Sequence, residues 1–380
     1  MPKPPPTLRV TVAGGGFAAA ELLLALRALA EDRVELELIA PSTRFAFRPA
    51  ATGVPFGAAE VDVYDLERLA GDVGAGLRRN SVEAVAPTAR RLRLASGAHA
   101  DYDVLVVAVG ARARSAIPGA TTFRDQRDQH HVARISDALR DGSARSAAFA
   151  APAGVTWTLP LYELALLTSA AAGPSADLAI VTPERRPLEV FGAAVSRAVE
   201  TLLDKRGIGV VANARAQAAI RGQLDLADGG SLPAEHVVAV PRLAGRRVGG
   251  IPCGWDGFVP VDARGRIEGL RDVFAAGDVT DFPVKQGGLA AQQADVIAAE
   301  LALRAGAEVE PPPARYVLRS RLLGADGPLY LRTELDARGR PIAGAGTVSS
   351  EAPWWPAAKL FGRHLSPWMA SERLERTVSR

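Results

Sequence analysis

The sequence of 380 residues predicts an α/β protein in which one strand–helix–strand unit is inserted into another, with a cap at the C-terminal end. Three observations carry this. A buried strand, Leu8 to Ala13, runs through Gly14-Gly15-Gly16 into an alanine- and leucine-rich helix and on to a second strand, Val34 to Ala40, which makes a βαβ unit. A second alternation of helices and strands follows beyond about residue 120. Far downstream the segment Asp272-Val-Phe-Ala-Ala-Gly-Asp278 brings back a buried strand, so the first unit is completed by a late piece of chain.

The first helix is expected from Phe17 to about Leu29, where glycine gives way to continuous helix formers. A helix start is expected at Tyr64 to Leu69. Ser81 to Ala86 and Arg91 to Ala95 alternate as short strands around the Ser96-Gly97 turn, and Val104 to Val109 is a buried strand closing on Gly110. The inserted unit reads as helix Val132 to Arg140, strand Ala147 to Ala151, helix Leu161 to Ala171, strand Asp177 to Thr182, helix Gly192 to Lys205 and strand Val237 to Val240. A helix from Gly288 to Leu303 follows Asp278. Pro311-Pro-Pro313 marks a linker, after which come hairpin pieces (Tyr316 to Leu322, Leu329 to Thr333) and an aromatic cluster of Trp354, Trp355, Phe361 and Trp368. Pro353, Pro356 and Pro367 are expected to interrupt any amphipathic helix there. The boundaries are therefore 1–120 for the first part of one domain, 121–245 for the insertion, 246–310 for the second part, and 311–380 for the C-terminal domain.

Composition excludes several classes. Cations number 45 against 42 anions, so no strong field for nucleic acid exists. No apolar run approaches the roughly 20 residues that cross a bilayer. The single Cys253 excludes an intrachain disulfide, a CxxC pair and a cysteine metal cluster. His130-His131 point apart as neighbours, and His99, His236 and His364 show no ligand spacing, so no metal is expected. The start, Met1-Pro-Lys-Pro-Pro-Pro6, lacks the apolar stretch of a signal peptide, and a cytoplasmic location is the expectation. Lysine is confined to Lys3, Lys205, Lys285 and Lys359, which draws notice to any lysine inside a motif.

Gly14-Gly15-Gly16-Phe17-Ala18-Ala19 fits G-x-G-x-x-A directly after a strand and at the start of a helix, the context of a dinucleotide-binding turn. Gly14 permits the tight turn, Gly16 lets the backbone approach a pyrophosphate, and Ala19 allows close helix–strand packing. The helix N-terminus offers unpaired N–H groups to the anion. The acidic residue that usually ends the second strand is replaced by Ala40-Pro41, leaving Ser42 or Thr43 as weaker ribose partners.

Together with the Phe45-Ala-Phe-Arg48-Pro49 run, Tyr102 to Gly110, and Ala275-Ala-Gly277-Asp278, these motifs resemble the FAD-dependent pyridine nucleotide-disulfide oxidoreductase superfamily. Within it the resemblance is to the branch holding sulfide:quinone oxidoreductase and type II NADH dehydrogenase. Ala108-Val109-Gly110 is similar to that family's Ala-Thr-Gly motif with the threonine lost. The resemblance covers residues 7 to about 305. It implies two Rossmann-like (three-layer ββα) dinucleotide-binding domains, the second inserted in the first, plus a C-terminal cap.

The resemblance places FAD with its pyrophosphate on Gly14 to Gly16 and its ribityl chain at Asp278. Arg48, Ala108, Gly110 and Gly277 would lie along the cofactor. Lys285-Gln286-Gly287-Gly288-Leu289 would open a helix whose terminus faces the flavin pyrimidine, with Lys285 either stabilising the reduced anion or sitting as a solvated helix-start lysine. Glu163 falls about where the family carries a glutamate near flavin N5, as a proton shuttle or as a first-turn glutamate satisfied by the helix dipole. Trp157 and Tyr162 either cover the isoalloxazine or pack a core.

The insertion departs from NADH-using relatives, since Pro152-Ala-Gly154-Val-Thr-Trp157-Thr-Leu-Pro160 encodes no glycine turn. Sulfide:quinone oxidoreductases show a similar loss, yet they work through paired cysteines that this chain lacks. Cys253 is expected to be a loop thiol, and Arg185-Arg186 and Arg246-Arg247 to be solvated turns. The reading is an FAD-dependent oxidoreductase without a redox cysteine pair, passing electron pairs from an unidentified donor through flavin to an acceptor, with a quinone as the candidate. The alternatives are an NAD(P)H-dependent flavin reductase and a non-catalytic binding or assembly module. The C-terminal Trp354-Trp355 segment with Lys359 and Arg363 is a candidate for peripheral membrane contact, for a second copy of the chain, or for packing over the first domain.

Overall fold

The computed structural model describes residues 7–310, 312, 315–324 and 326–378. The proline-rich start, and Pro311 and Pro313 of the expected linker, lie outside the described residues.

Two five-stranded sheets, each parallel throughout, organise the molecule. In the first the order is Val273–Ala275, Val104–Val107, Leu8–Ala13, Val34–Ala40, Gly76–Arg79. The late strand Val273–Ala275 joins an edge, as the buried run predicts. Parallel neighbours require crossovers, and helix α1 (Phe17–Ala30) supplies the first, carrying nine buried residues that include Leu22, Leu23 and Leu26. The helix start expected within Tyr64 to Leu69 falls at Leu66, preceded by a short strand, Val63–Asp65. Helix α2 (Leu66–Asp72) begins after it, because the Asp65 carboxylate accepts from Glu67 N–H and fixes the cap there.

The second sheet runs Thr121–Thr122, His236–Ala239, Ser146–Ala150, Asp177–Val181, Ile208–Val211. Its covering helices are α3 (Gln129–Asp141), α4 (Leu159–Ala172) and α5 (Ala193–Lys205). The chain enters and leaves this unit through one antiparallel ribbon, Ala111–Arg114 against Arg242–Gly245. Helix α6 (Gly287–Arg304) then packs along α1 in the first unit.

The C-terminal part is a three-stranded antiparallel sheet, Tyr316–Leu322, Leu329–Leu335 and Thr347–Ser349, followed by helix α7 (Leu365–Val378). Leu318, Leu322, Leu331 and Leu335 share one apolar cluster with Phe149, Leu161 and Tyr162, so the cap and the inserted unit bury each other. The existence of α7 corrects the expectation that proline breaks the tail. Pro367 is the third residue of the helix, inside the first turn, where its missing N–H has no intrahelical partner to lose. Among the described residues no helix is long and apolar enough to cross a membrane. Of the tail tryptophans, Trp354 donates Nε1–H to Ala358 O and packs on Tyr330, and Trp368 packs on Tyr64 and donates to Asp72, while Trp355 is 84% exposed.

Candidate cofactor cleft and buried ion pair

The glycine turn is shaped by contact rather than by flexibility alone. Gly14 has φ +126°, and a Cβ there would stand 2.1 Å from the Ala108 carbonyl oxygen. A Cβ at Gly15 would meet Leu66 Cδ1 at 2.8 Å and Ala40 Cβ at 3.2 Å, whereas one at Gly16 would meet nothing within 4 Å. Helix α1 has no side-chain cap at Gly16 and no acidic residue in its first turn. The helix start is therefore uncapped beside an open space at Gly16, as an anion site requires. Ala18 and Ala19 are buried, and Gly277 is wedged so that a Cβ would lie 3.2 Å from Ala18 Cβ and 3.3 Å from Ala290 Cβ. Phe17 packs edge-on to Phe45 at 5.2 Å and against Phe47 at 5.7 Å, walling one side of the turn.

Asp278 follows Gly277 directly. Its carboxylate has no hydrogen-bond partner among the described residues. Burial pushes its carboxyl up, against the fields of Lys285 and Arg48. An unpartnered carboxylate together with uncapped amides at a helix start fits a ligand with hydroxyls and a diphosphate, so the residues present suit FAD. Lys285 is half-buried, donates to Thr280 O, and stands 3.8 Å from the centre of the Phe258 ring. It is not the solvated lysine of the alternative reading. Burial pushes its ammonium down to about 8, with Asp278, Asp281 and Asp256 opposing.

Other expected residues differ in detail. Gln286 is itself the cap of α6, its Oε1 accepting from Leu289 N–H at 2.9 Å, so that amide is already engaged. Gly287 and Gly288 are covered by the C-terminal segment, where Leu360 and the Phe361 carbonyl oxygen lie against them. Ala40 is fully buried beside Gly15, and Ser42 turns its oxygen to Arg44 N–H at 3.0 Å. Gly110 takes φ +68° directly before the ribbon.

Glu163 is fully buried in α4, and its partners are not those of a glutamate satisfied by the helix dipole. Its Oε2 accepts from Lys359 Nζ at 2.5 Å and Thr52 Oγ1 at 2.7 Å, and its Oε1 from Leu323 N–H at 2.9 Å. A first-turn dipole partner is thus replaced by an ion pair assembled from the first unit, the insertion and the cap. Lys359, which the sequence suggested for a basic surface, is 7% exposed, and burial pushes its ammonium down. The scarcity of lysine was the one signal that could have singled it out. Trp157 stacks on Phe191 at 5.9 Å, and Tyr162 is fully buried with its hydroxyl on Glu184 at 2.8 Å, which is the core reading for both.

A second buried cluster was missed. Glu21 on α1 accepts from His364 N–H and Leu365 N–H, each at 2.7 Å, and so caps α7. Asp295 on α6 and the His364 ring complete a group whose ligand atoms lie within 4.8 Å of one another, although the sequence showed no ligand spacing for His364. The neighbouring His130 and His131 rings, expected to diverge, lie 4.1 Å apart. Burial beside Glu21 pushes the Asp295 carboxyl up to about 9. The folded protein then keeps a proton on Asp295 that the unfolded chain has lost between about pH 4 and 9, and stability from this group falls as pH rises through that window. Asp295→Asn should raise the thermal midpoint at pH 8–9, with the gain vanishing near pH 4. Parallel midpoints for both proteins across that range would assign the titration elsewhere.

Residues 8–296 match the family described as pyridine nucleotide-disulphide oxidoreductase. A curated relative, the ferredoxin–NAD(+) reductase component of the biphenyl dioxygenase system from Paraburkholderia xenovorans (strain LB400), is 30% identical over 215 residues, 52% of this chain and 48% of its own. The match thus spans about half the length of that relative. The sulfide:quinone oxidoreductase of Aquifex aeolicus superposes with a TM-score of 0.75 at 20% identity, covering 90% of this chain and 87% of that one. NDH2 of Plasmodium falciparum, solved with NADH, gives 0.65 at 12% identity over 85% and 90%. At these identities the two structures bear on fold alone.

Proposed function

The chain belongs to the pyridine nucleotide-disulphide oxidoreductase family of FAD-dependent oxidoreductases, and from that premise we propose that it passes electron pairs from a donor other than a nicotinamide nucleotide to an acceptor of the quinone class. FAD, when bound, supplies the two-electron chemistry. Gly14 to Gly16 would hold its diphosphate, and Asp278 its ribityl hydroxyls.

The observation that carries the reading is the buried Glu163–Lys359 pair. Reduction of a quinone to a quinol consumes two protons with the two electrons, and a sealed carboxylate–ammonium pair with Thr52 is a place to hold and pass a proton out of contact with bulk water. The reading of the donor is supported by the insertion. The loop after strand Ser146–Ala150 has no glycine turn, and Thr156 Oγ1 is tied to Pro283 O. Glu184, following the next strand, is occupied by Tyr162 Oη, Thr182 Oγ1 and Glu189 N–H, so it offers no free carboxylate to a ribose.

The test is direct. Protein reconstituted with FAD and photoreduced without oxygen should be reoxidised rapidly by ubiquinone-1, while NADH or NADPH should leave the oxidised spectrum unbleached over seconds. Prompt bleaching by either nucleotide would replace this reading with an NAD(P)H-dependent flavin reductase, and a protein that refuses FAD would leave a binding module. Lys285 carries a pH signature. Turnover should fall as pH rises through about 8, where Lys285 loses its proton, and Lys285→Met should be slow and flat across pH 6–9. An unchanged profile in the variant would remove Lys285 from the chemistry.

A further inference from the structure

The ribbon that joins the two units carries an arrangement of charge that folding alone does not require. Its register sets Arg114 directly opposite Arg242, and Arg112 opposite Ala244. Directly opposed residues share a face, as do residues two apart along a strand. Arg112, Arg114 and Arg242 therefore project from one face, and Arg246, just beyond the strand end, lies close enough to feel the charge of Arg112. All four are exposed, and among the described residues none has a carboxylate partner. Like charges placed directly opposite one another destabilise a ribbon. Where arginines flank one another elsewhere they can be answered by acids, as Arg124 is by Asp128 and Arg127 by Asp125.

Two further features mark this face as a docking surface. Trp255 is 83% exposed, lies beneath the Arg242 guanidinium at 5.8 Å, and sits in a turn braced by Arg247, whose Nη2 donates to the Gly254 and Trp255 carbonyls. Exposed tryptophan beside arginine is the composition of protein-binding hot spots. The stripe also leads toward the proposed cofactor site: its strand follows Gly110, and Arg246, whose guanidinium is pushed down by burial, also feels the fields of Arg112 and Arg48. From Arg242 to Arg246 an extended chain covers about 13 Å, too long for a single phosphate and open rather than enclosed. A cofactor diphosphate could answer the Arg48 end of this field, but not Arg114 and Arg242.

We infer that the arginine stripe Arg112–Arg114–Arg242–Arg246 with Trp255 docks a small acidic electron-carrier protein, which serves as the electron donor. This rests on the oxidoreductase reading above and supplies the donor that reading leaves unnamed. Two molecules of reduced carrier are each oxidised by one electron. The pair of electrons, with two protons from solvent, reduces one quinone-class acceptor to the quinol. Charge complementarity selects the partner: a stripe without acids attracts an acidic surface, raises the association rate, and gives it steep salt dependence.

The experiment uses the full FAD-loaded chain with two probes, a plant-type [2Fe–2S] ferredoxin and a flavodoxin, both strongly acidic. Binding is measured calorimetrically at 20 and 300 mM NaCl, and reduction of ubiquinone-1 by the dithionite-reduced, desalted probes is followed optically. The variants are Arg114→Glu/Arg242→Glu and Trp255→Ala. Expected are binding to at least one probe, lost at high salt, a tenfold or greater weakening in the double variant, and a matching loss of carrier-driven turnover. FAD content, thermal midpoint and reoxidation of the photoreduced protein by ubiquinone-1 should not change. Failure of both acidic probes to bind at 20 mM NaCl, or binding indifferent to charge reversal, overturns the inference. So does a double variant that loses FAD, which would give the stripe to the cofactor, or a stripe that binds a 20-base-pair DNA duplex more tightly than either protein. Failure of the underlying reading shows separately, as a wild-type protein that holds no FAD or is not reoxidised by quinone.

Discussion

Lys359→Met should lower the stability of the protein by about 3–5 kcal/mol, because it strands the Glu163 carboxylate at zero exposure with only Thr52 and Leu323 N–H to answer it. Glu163→Gln should cost a similar amount by leaving an ammonium in the same place. The double variant Glu163→Gln/Lys359→Met should recover much of the loss, since a neutral amide and a thioether of similar volume need no counter-charge. Urea midpoints of the four proteins form the cycle, and a coupling near zero would show that the two groups do not act as a pair. The pair also carries the proposed function. If the double variant folds and holds FAD but is reoxidised by ubiquinone-1 as fast as the wild type, the proton role of the pair falls while its structural role stands.

Gly14→Ala should nearly abolish retention of FAD. The new methyl would stand 2.1 Å from the Ala108 carbonyl oxygen, and a backbone φ of +126° is strained for any residue with a Cβ. The turn must open or the strand Val104–Val107 must shift. A distortion of about 3 kcal/mol at the diphosphate site is about a hundredfold in affinity. Gly16→Ala is the contrast, since its methyl meets no protein atom and would intrude only on a ligand. It should leave the thermal midpoint of the cofactor-free protein unchanged while weakening FAD binding, read by flavin fluorescence. Equal loss of stability in both variants would mean that the turn, rather than the ligand, fills the space beside Gly16.

Local pattern made much of this molecule legible. Leu8 to Ala13 and Val34 to Ala40 form the strands expected of them, because their aliphatic residues recur at every second position, as Val34, Leu36 and Leu38 do between Glu35 and Glu37, and bury one face. The glycine turn and the strand ending at Gly277-Asp278 were readable because backbone access and close packing demand small residues at fixed spacing. Helix α7 was not, because a proline that breaks a helix interior is harmless in its first turn, and which turn it occupies depends on where the cap lies. That cap is Glu21, contributed from the other end of the chain.

What the sequence by itself determined is the architecture, the glycine turn and the lack of a redox cysteine pair. Each rests on residues close in the chain, on simple periodicity, or on a count. The tertiary structure alone decided that Lys359 meets Glu163, that Asp295 lies beside Glu21, and that three arginines from two distant segments line up on one face of a ribbon. The reason is physical. The energy of a charge is set by what surrounds it, and those surroundings are assembled by contacts between parts of the chain that sequence spacing does not relate.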